Sequence, residues 1–106
     1  MEYIESDRDF CFCGDDDGQI TGFCSADMRK SMHFPGEMLY IDVLVVREGF
    51  KKTGVGQKLL ERAEELAREL GCRAIQIDVV FHLKGAQDFY KQNGFRQIGL
   101  LFGKPT

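Results

Sequence analysis

Apolar residues fall along the chain in blocks whose spacing changes, and each change marks an element. Residues 8–13 alternate as a short strand, and residues 19–28 resume an extended pattern carrying Ile20, Phe23 and Cys24. Between them, Gly14-Asp15-Asp16-Asp17-Gly18 is rich in residues that tolerate a chain reversal, so the two runs form a hairpin. Gly22 interrupts the second strand and marks a bulge there. Residues 38–46, Met-Leu-Tyr-Ile-Asp-Val-Leu-Val-Val, are almost continuously apolar and β-branched. That pattern predicts a strand buried on both faces.

A helix is expected over residues 54–70, because Leu59, Leu60, Ala63, Leu66, Ala67 and Leu70 recur at helical spacing and Gly71 follows as a stop. Residues 74–81 alternate again as a fourth strand. Residues 85–93 show Ala86, Phe89 and Tyr90 on one side of a short helix that Gly94 ends, and residues 95–102 form a last strand weakened by Gly99. The strand–helix–strand unit over residues 38–81 is a crossover connection, which makes its two strands parallel. The expected architecture is therefore one α/β domain over residues 1–106, a mixed sheet of about five strands with two helices.

Composition narrows the function. A chain of 106 residues, 43% apolar and 29% charged, supports one modest core. The net charge of −3 gives no general attraction for nucleic acid or an anionic membrane, so any anion must be held locally. No apolar run reaches the length of a membrane span and no charged-then-apolar leader opens the chain, which suggests a cytoplasmic protein. Cys11, Cys13, Cys24 and Cys72 form no metal-ligand spacing with His33 or His82 and read as free thiols. Cys11 and Cys13 share a strand face next to the strand of Cys24, so they could oxidise in vitro. No metal site is expected.

The chemistry concentrates in Val46-Arg-Glu-Gly-Phe-Lys51-Lys52-Thr53-Gly54-Val55-Gly56-Gln57, between a strand and the start of a helix. The first N–H groups of that helix lack internal partners, its dipole is positive there, and Gly54 and Gly56 leave the backbone accessible. With Lys51, Lys52 and Lys58 nearby, the segment suits a diphosphate. A Walker loop fails, because Val55 and Gly56 stand where Lys and Ser/Thr are needed. A dinucleotide fingerprint lacks its third glycine, at Leu59.

The same stretch resembles the acetyl-CoA motif of the GNAT N-acetyltransferases, V-x-P-x-x-R-x-x-G-x-G. Ala86-Gln-Asp-Phe89-Tyr90-Lys-Gln-Asn-Gly94-Phe95 resembles the A-x-x-F-Y-x-x-x-G-F motif of that family. The resemblance covers residues 8–102 and implies the GNAT fold, N-terminally abbreviated. The family usually has a strand and two helices before the hairpin, and here only residues 1–7 stand there. It departs from the family at Lys51 (usually Arg or Gln), Glu48 (commonly Pro) and Leu83 (usually Asn). The resemblance implies acetyl-CoA as donor. Lys51, Lys52, Thr53, Gly54, Val55, Gly56 and Gln57 would cradle its pyrophosphate, and Leu44, Val45 and Val46 would line its pantetheine arm.

In family terms Tyr90 would protonate the departing thiolate. A base is also needed, because an ammonium cannot attack. Asp42 is an acidic residue in an apolar strand, a costly place for a charge without a role or a partner. Strand alternation puts Tyr40, Asp42, Leu44 and Val46 on one face. Asp42 is thus either the base or half of an ion pair with a buried basic group, with Glu37 a weaker alternative base. A backbone N–H over residues 44–46 could bind the acetyl oxygen. The functional expectation is N-acetyl transfer to a primary amine by direct attack, with a homodimer completing the acceptor site. The alternatives are a non-catalytic acetyl-CoA-binding module and a purely structural domain.

Overall fold

The computed structural model describes residues 2–4, 8–32, 35–51, 53–78, 84–99 and 102–105; of residues 2–4 and 84 only the backbone is described. A single five-stranded sheet runs in the order β1 (Glu2–Ile4), β2 (Asp9–Asp16), β3 (Gln19–Lys30), β4 (Glu37–Val46), β5 (Ala74–Ile77). Helix α1 (Val55–Glu69) connects β4 to β5, and α2 (Lys84–Gln92) follows β5. The first four strands are mutually antiparallel and β5 joins β4 in parallel, as the crossover connection requires. Fold class and both helices agree with the sequence pattern.

The strand inventory differs from expectation at its two ends. Glu2–Ile4 is a short edge strand paired with Phe10–Phe12, a partnership that three residues cannot announce by periodicity. Over the expected last strand, the described residues 95–99 are not in a strand. There the Gln97 side chain donates to the Gly99 carbonyl at 3.2 Å, a local bond that competes with ladder pairing. The hairpin turn is also tighter than expected. β2 runs on through Asp16, and Asp17 (φ 54°) with Gly18 (φ 83°) make the reversal, the positive-φ pair that a two-residue hairpin favours.

The core lies between the sheet and α1. Phe10, Phe12, Cys24, Ala26, Leu39 and Ile41 project from three strands onto Leu59, Leu60, Ala63, Leu66 and Ala67 of the helix. Ala63 and Ala67 are fully or nearly fully buried and let α1 approach the strands closely. Both helices end on glycine in the left-handed region, Gly71 and Gly94. Cys72 and Phe95 then bond back to the carbonyls of Ala67 and Tyr90, at 2.8 and 3.0 Å. Cys24 sits on the core face opposite Phe12, not on the face of Cys11 and Cys13, and none of the four cysteines is in a disulfide. Burial pushes the Cys24 thiol up to about 12, so it is inert.

Two bulges interrupt the ladders. In β3, Thr21 is the extra residue beside Gly22, close to where the glycine marks it. In β4 the register passes from Ile41↔Ala26 to Val43↔Ser25, leaving Asp42 as the extra residue. A one-residue insertion flips every later side chain. Leu39 and Ile41 face the core before the bulge, and Leu44 faces it afterwards. Tyr40 therefore does not share a face with Leu44 and Val46, contrary to simple alternation. Nor is β4 buried on both faces: Val45 is 53% exposed, because no described element covers the sheet opposite α1.

Gly22 shows how closely α1 sits. A Cβ there would lie 2.8 Å from Val55 Cγ1, 2.9 Å from Leu59 Cδ1 and 2.9 Å from the Val45 carbonyl oxygen. The backbone oxygen cannot rotate away. Gly22→Ala is expected to destabilise the fold by about 1–3 kcal/mol through overpacking. Urea denaturation checks this, with the midpoint falling at an unchanged slope.

Candidate functional site

The β4–β5 ladder is short. Among the described residues it runs from Met38↔Ala74 to Ile41↔Ile77, whereas β4 continues to Val46. Beyond Ile41 the β4 edge turned toward β5 has no partner strand among the described residues, while its other edge stays bonded to β3. The bulge at Asp42 falls just beyond the last of these pairs. The result is a fork with the backbone of Leu44, Val45 and Val46 along one arm.

Helix α1 begins beside that arm. Gly54 precedes it with φ 92°, a left-handed conformation that turns the chain from the loop into the helix. No side chain caps this end and the first turn has no acidic residue. The N–H groups of Val55, Gly56 and Gln57 thus meet no side-chain acceptor or like-signed repulsion that would compete with an anion. Ahead of the helix, Phe50 N donates to the Arg47 carbonyl at 3.0 Å, and both Thr53 N (3.4 Å) and the Thr53 hydroxyl donate to the Phe50 carbonyl. The loop is thereby coiled into successive turns.

Charge around the loop is less one-sided than the sequence implies. Lys51 Nζ lies 3.2 Å from Glu48 Oε2, and both side chains are well exposed. The departure at Glu48 therefore acts on the departure at Lys51, partly neutralising it. Lys52 lies outside the described residues, as do His33, His82 and Leu83.

Helix α2 reaches this end of α1 through Phe89. Its ring atom Cζ would be 3.6 Å from a Cβ on Gly56, and Val46 Cγ2 would be 3.4 Å from the same point. Phe89 packs against the core, as its helical position suggested. Tyr90 is half-buried beside it, its ring edge-on to Phe89 at 5.3 Å and to Phe95 at 5.7 Å. Burial raises the Tyr90 hydroxyl above the ordinary phenol value, with a further push from Cys24. The phenol thus holds its proton throughout the neutral range.

Asp42 behaves differently from expectation. It is exposed, because the bulge lifts it out of the strand's alternation, so its charge is solvated and needs no buried counter-ion. It lies within electrostatic reach of Tyr40 and Arg29, on the sheet face opposite α1. Glu37, the other carboxylate considered, is ion-paired with Arg8 at 2.9 Å at the far end of β4.

Sequence reading missed Asp78. It directly follows the last ladder pair on β5 and accepts a hydrogen bond from the Tyr40 hydroxyl. Arg29 stands 3.8 Å over the Tyr40 ring and is bonded to Asp27 at 2.6 Å. A second acidic residue in an alternating strand was the available signal. The structure therefore gathers Tyr90, the α1 N-terminus and Val46 on the helix-covered face. It gathers Asp42, Tyr40 and Asp78 on the open face, with the fork between them.

A hollow of about 520 Å³ lies on the hairpin side of α1, lined in part by Gly14, Asp15, Phe50, Thr53 and Lys58. A shallower one of about 320 Å³ lies over Ile20, Phe23 and Val45 on the open face. The smaller hollow touches the fork's β4 arm at Val45 and Val46, and the larger reaches the start of α1 at Val55. Among the described residues no group of three or more metal-ligating side chains converges.

Comparison with known proteins adds independent observations. The family model described as "Acetyltransferase (GNAT) family" matches residues 1–95. An uncharacterised N-acetyltransferase of Methanocaldococcus jannaschii is 30% identical over 101 residues, covering 94% of this chain and 45% of the relative. The aminoalkylphosphonate N-acetyltransferase of Salmonella typhimurium is 29% identical over 87 residues, covering 82% of this chain and 56% of the relative. The chain thus spans about half the length of these curated relatives. Among solved structures, aminoglycoside N-acetyltransferase AAC(6')-Iy, in complex with the bisubstrate analogue CoA-S-monomethyl-acetylneamine, superposes with a TM-score of 0.86. That match covers 96% of this chain and 72% of the other at 20% identity, a likeness of fold.

The entry to α1 can be tested on its own. Nothing lies within 4 Å of a Cβ built on Gly54, so a substitution there meets only backbone strain. Gly54→Ala is expected to cost about 1–2 kcal/mol, and Gly54→Asn less, since asparagine tolerates the left-handed region. Chemical denaturation of the two variants checks the order.

Proposed function

The chain belongs to the GNAT acetyltransferase family, and from that premise we propose that it transfers the acetyl group of acetyl-CoA to a primary amine by direct attack. The observation that carries the reading is the fork beyond Ile41↔Ile77 lying next to the uncapped start of α1. A diphosphate with a long polar arm fits that pair of features. The N–H groups of Val55, Gly56 and Gln57 suit the diphosphate, and the unpaired β4 edge at Leu44, Val45 and Val46 suits the amide-bearing arm. The open space around Gly54 supports the fit.

When bound, acetyl-CoA supplies an activated acetyl thioester. The chain supplies the rest. Lys51 and Thr53 border the diphosphate cradle. A backbone N–H between Leu44 and Val46 donates to the acetyl oxygen, where negative charge develops. Tyr90 holds a proton for the departing sulfur, and its half-buried setting keeps that hydroxyl protonated until the thiolate forms. A carboxylate at the fork takes the amine's proton; Asp42, the base expected from the sequence, and Asp78 both stand there. The acetyltransferase names of the two sequence relatives support an amine acceptor.

The acceptor side is completed, in this reading, by a second copy of the chain over the open sheet face. Ile20 (56% exposed) and Val45 (53%) form an apolar strip there that supports such a cover. Four cysteines without a disulfide fit a reducing, cytoplasmic setting.

Amine-dependent release of CoA is the direct assay, and acetyl-CoA binding without release to any amine would leave a binding module instead. Tyr90→Phe is expected to lower turnover by about 10²-fold, the scale of general acid catalysis, with acetyl-CoA affinity little changed. Glu48→Gln is expected to tighten acetyl-CoA by about two- to five-fold, the value of an exposed ion pair, because Lys51 no longer divides its charge. Calorimetric titration reads both affinities.

A further inference from the structure

The two carboxylates at the fork are held differently. Asp42 and Asp78 are the first residues beyond the last ladder pair, one on each strand. Among the described residues no hydrogen bond holds Asp42, which lies exposed in the bulge. Asp78 Oδ2 accepts from the Tyr40 hydroxyl. Tyr40 is itself fixed: Arg29 lies 3.8 Å over its ring, and Asp27 anchors Arg29 through bonds of 2.6 and 3.3 Å. Asp27–Arg29–Tyr40–Asp78 thus forms a continuous run of contacts from β3 across β4 to the end of β5. It terminates on one oxygen of a single carboxylate.

We propose that Asp78 accepts the proton of the acceptor amine and that Tyr40 is the residue that positions it. This deepens the acetyl-transfer reading and rests on it. Proton transfer in a transition state needs the accepting atom at a defined place, so a fixed carboxylate outperforms a free one. A carboxylate has about four lone-pair sites, and Tyr40 uses one. In the step itself, one N–H bond of the bound ammonium breaks and its proton passes to Asp78. The nitrogen keeps the electron pair with which it attacks, and Asp78 later returns the proton to water.

Tyr40 does not take the proton. Burial, and then its bond to Asp78, push its hydroxyl up to about 12. Arg29 opposes that rise and Asp42 adds to it. The charged and titratable groups gathered here are Tyr40 and Asp42 from β4, Arg29 and Asp27 from β3, and Asp78 itself. Asp42 in this arrangement tunes the local field rather than carrying the proton.

The test compares Tyr40→Phe, Asp78→Asn and Asp42→Asn at saturating acetyl-CoA. The acceptors are butylamine, 1,4-diaminobutane, lysine and glucosamine, and kcat and kcat/KM are followed against pH. Asp78→Asn is expected to lower kcat by about 10²-fold or more and remove the acidic limb. Tyr40→Phe is expected to lower kcat by about ten-fold with the amine KM little changed, because the carboxylate is present but no longer held in place. The acetyl-CoA affinity stays as in the wild type, which separates positioning from misfolding. An acidic limb that survives Asp78→Asn, or one lost in Asp42→Asn instead, overturns the proposal. Wild-type protein inactive on all four amines defeats the functional reading instead. The tether is then read by carboxyl-carbon NMR at fixed neutral pH, where Tyr40→Phe is expected to shift the Asp78 carboxyl resonance through loss of its hydrogen bond. An unmoved resonance overturns it.

Discussion

Among the described residues four register pairs, Met38↔Ala74 to Ile41↔Ile77, join β4 to β5, and the candidate site lies just beyond the last of them. β4 continues for another five residues, bonded to β3 on its other side and to no described strand on this one. An unpaired strand edge is ordinarily a liability, because its N–H and C=O groups invite any extended chain. Here the edge is short, it follows a bulge, and the start of α1 lies beside it. In the proposed function these unpaired groups serve as bonding positions for an extended, amide-bearing ligand.

The bulge at Asp42 does more than disturb the ladder. It inverts the facing of β4, so that Leu39 and Ile41 enter the core before it and Leu44 after it. Tyr40 and Asp42 are thereby left on the open face, while Val46 turns toward α1 and Phe89. A proton donor on the helix side and carboxylates on the open side can then act across one gap between the strands. Their opposite demands fit their surroundings: Tyr90 is half-buried and retains its proton, and the carboxylates stand in water.

The helices and the parallel pair were legible in the sequence because their signals are local. The stripe Leu59, Leu60, Ala63, Leu66, Ala67 needs no partner to declare a helix, and Gly71 and Gly94 declare where each helix ends. The loop leading into α1 was legible for the same reason, since glycines and lysines at a helix start are a local pattern. What escaped was whatever pairing decides. The bulge exists only in register with β3, so strict alternation misplaced Tyr40 and treated Asp42 as buried. β1 is defined by its bonds to β2, and the described residues 95–99, whose pattern suggested a strand, are not in one. Asp78 became visible only when Tyr40 reached it across the fork.

The central claim is that one ligand spans the fork and the start of α1. Amide chemical-shift mapping of the labelled protein with acetyl-CoA tests it most directly. The account predicts saturable shifts at two separated stretches, the amides of Val43 to Val46 and those of Gly54 to Gln57, with the far end of the sheet around Arg8 and Glu37 unmoved. Shifts absent at millimolar acetyl-CoA, or confined to the hairpin side of α1 around Asp15 and Lys58, would contradict it.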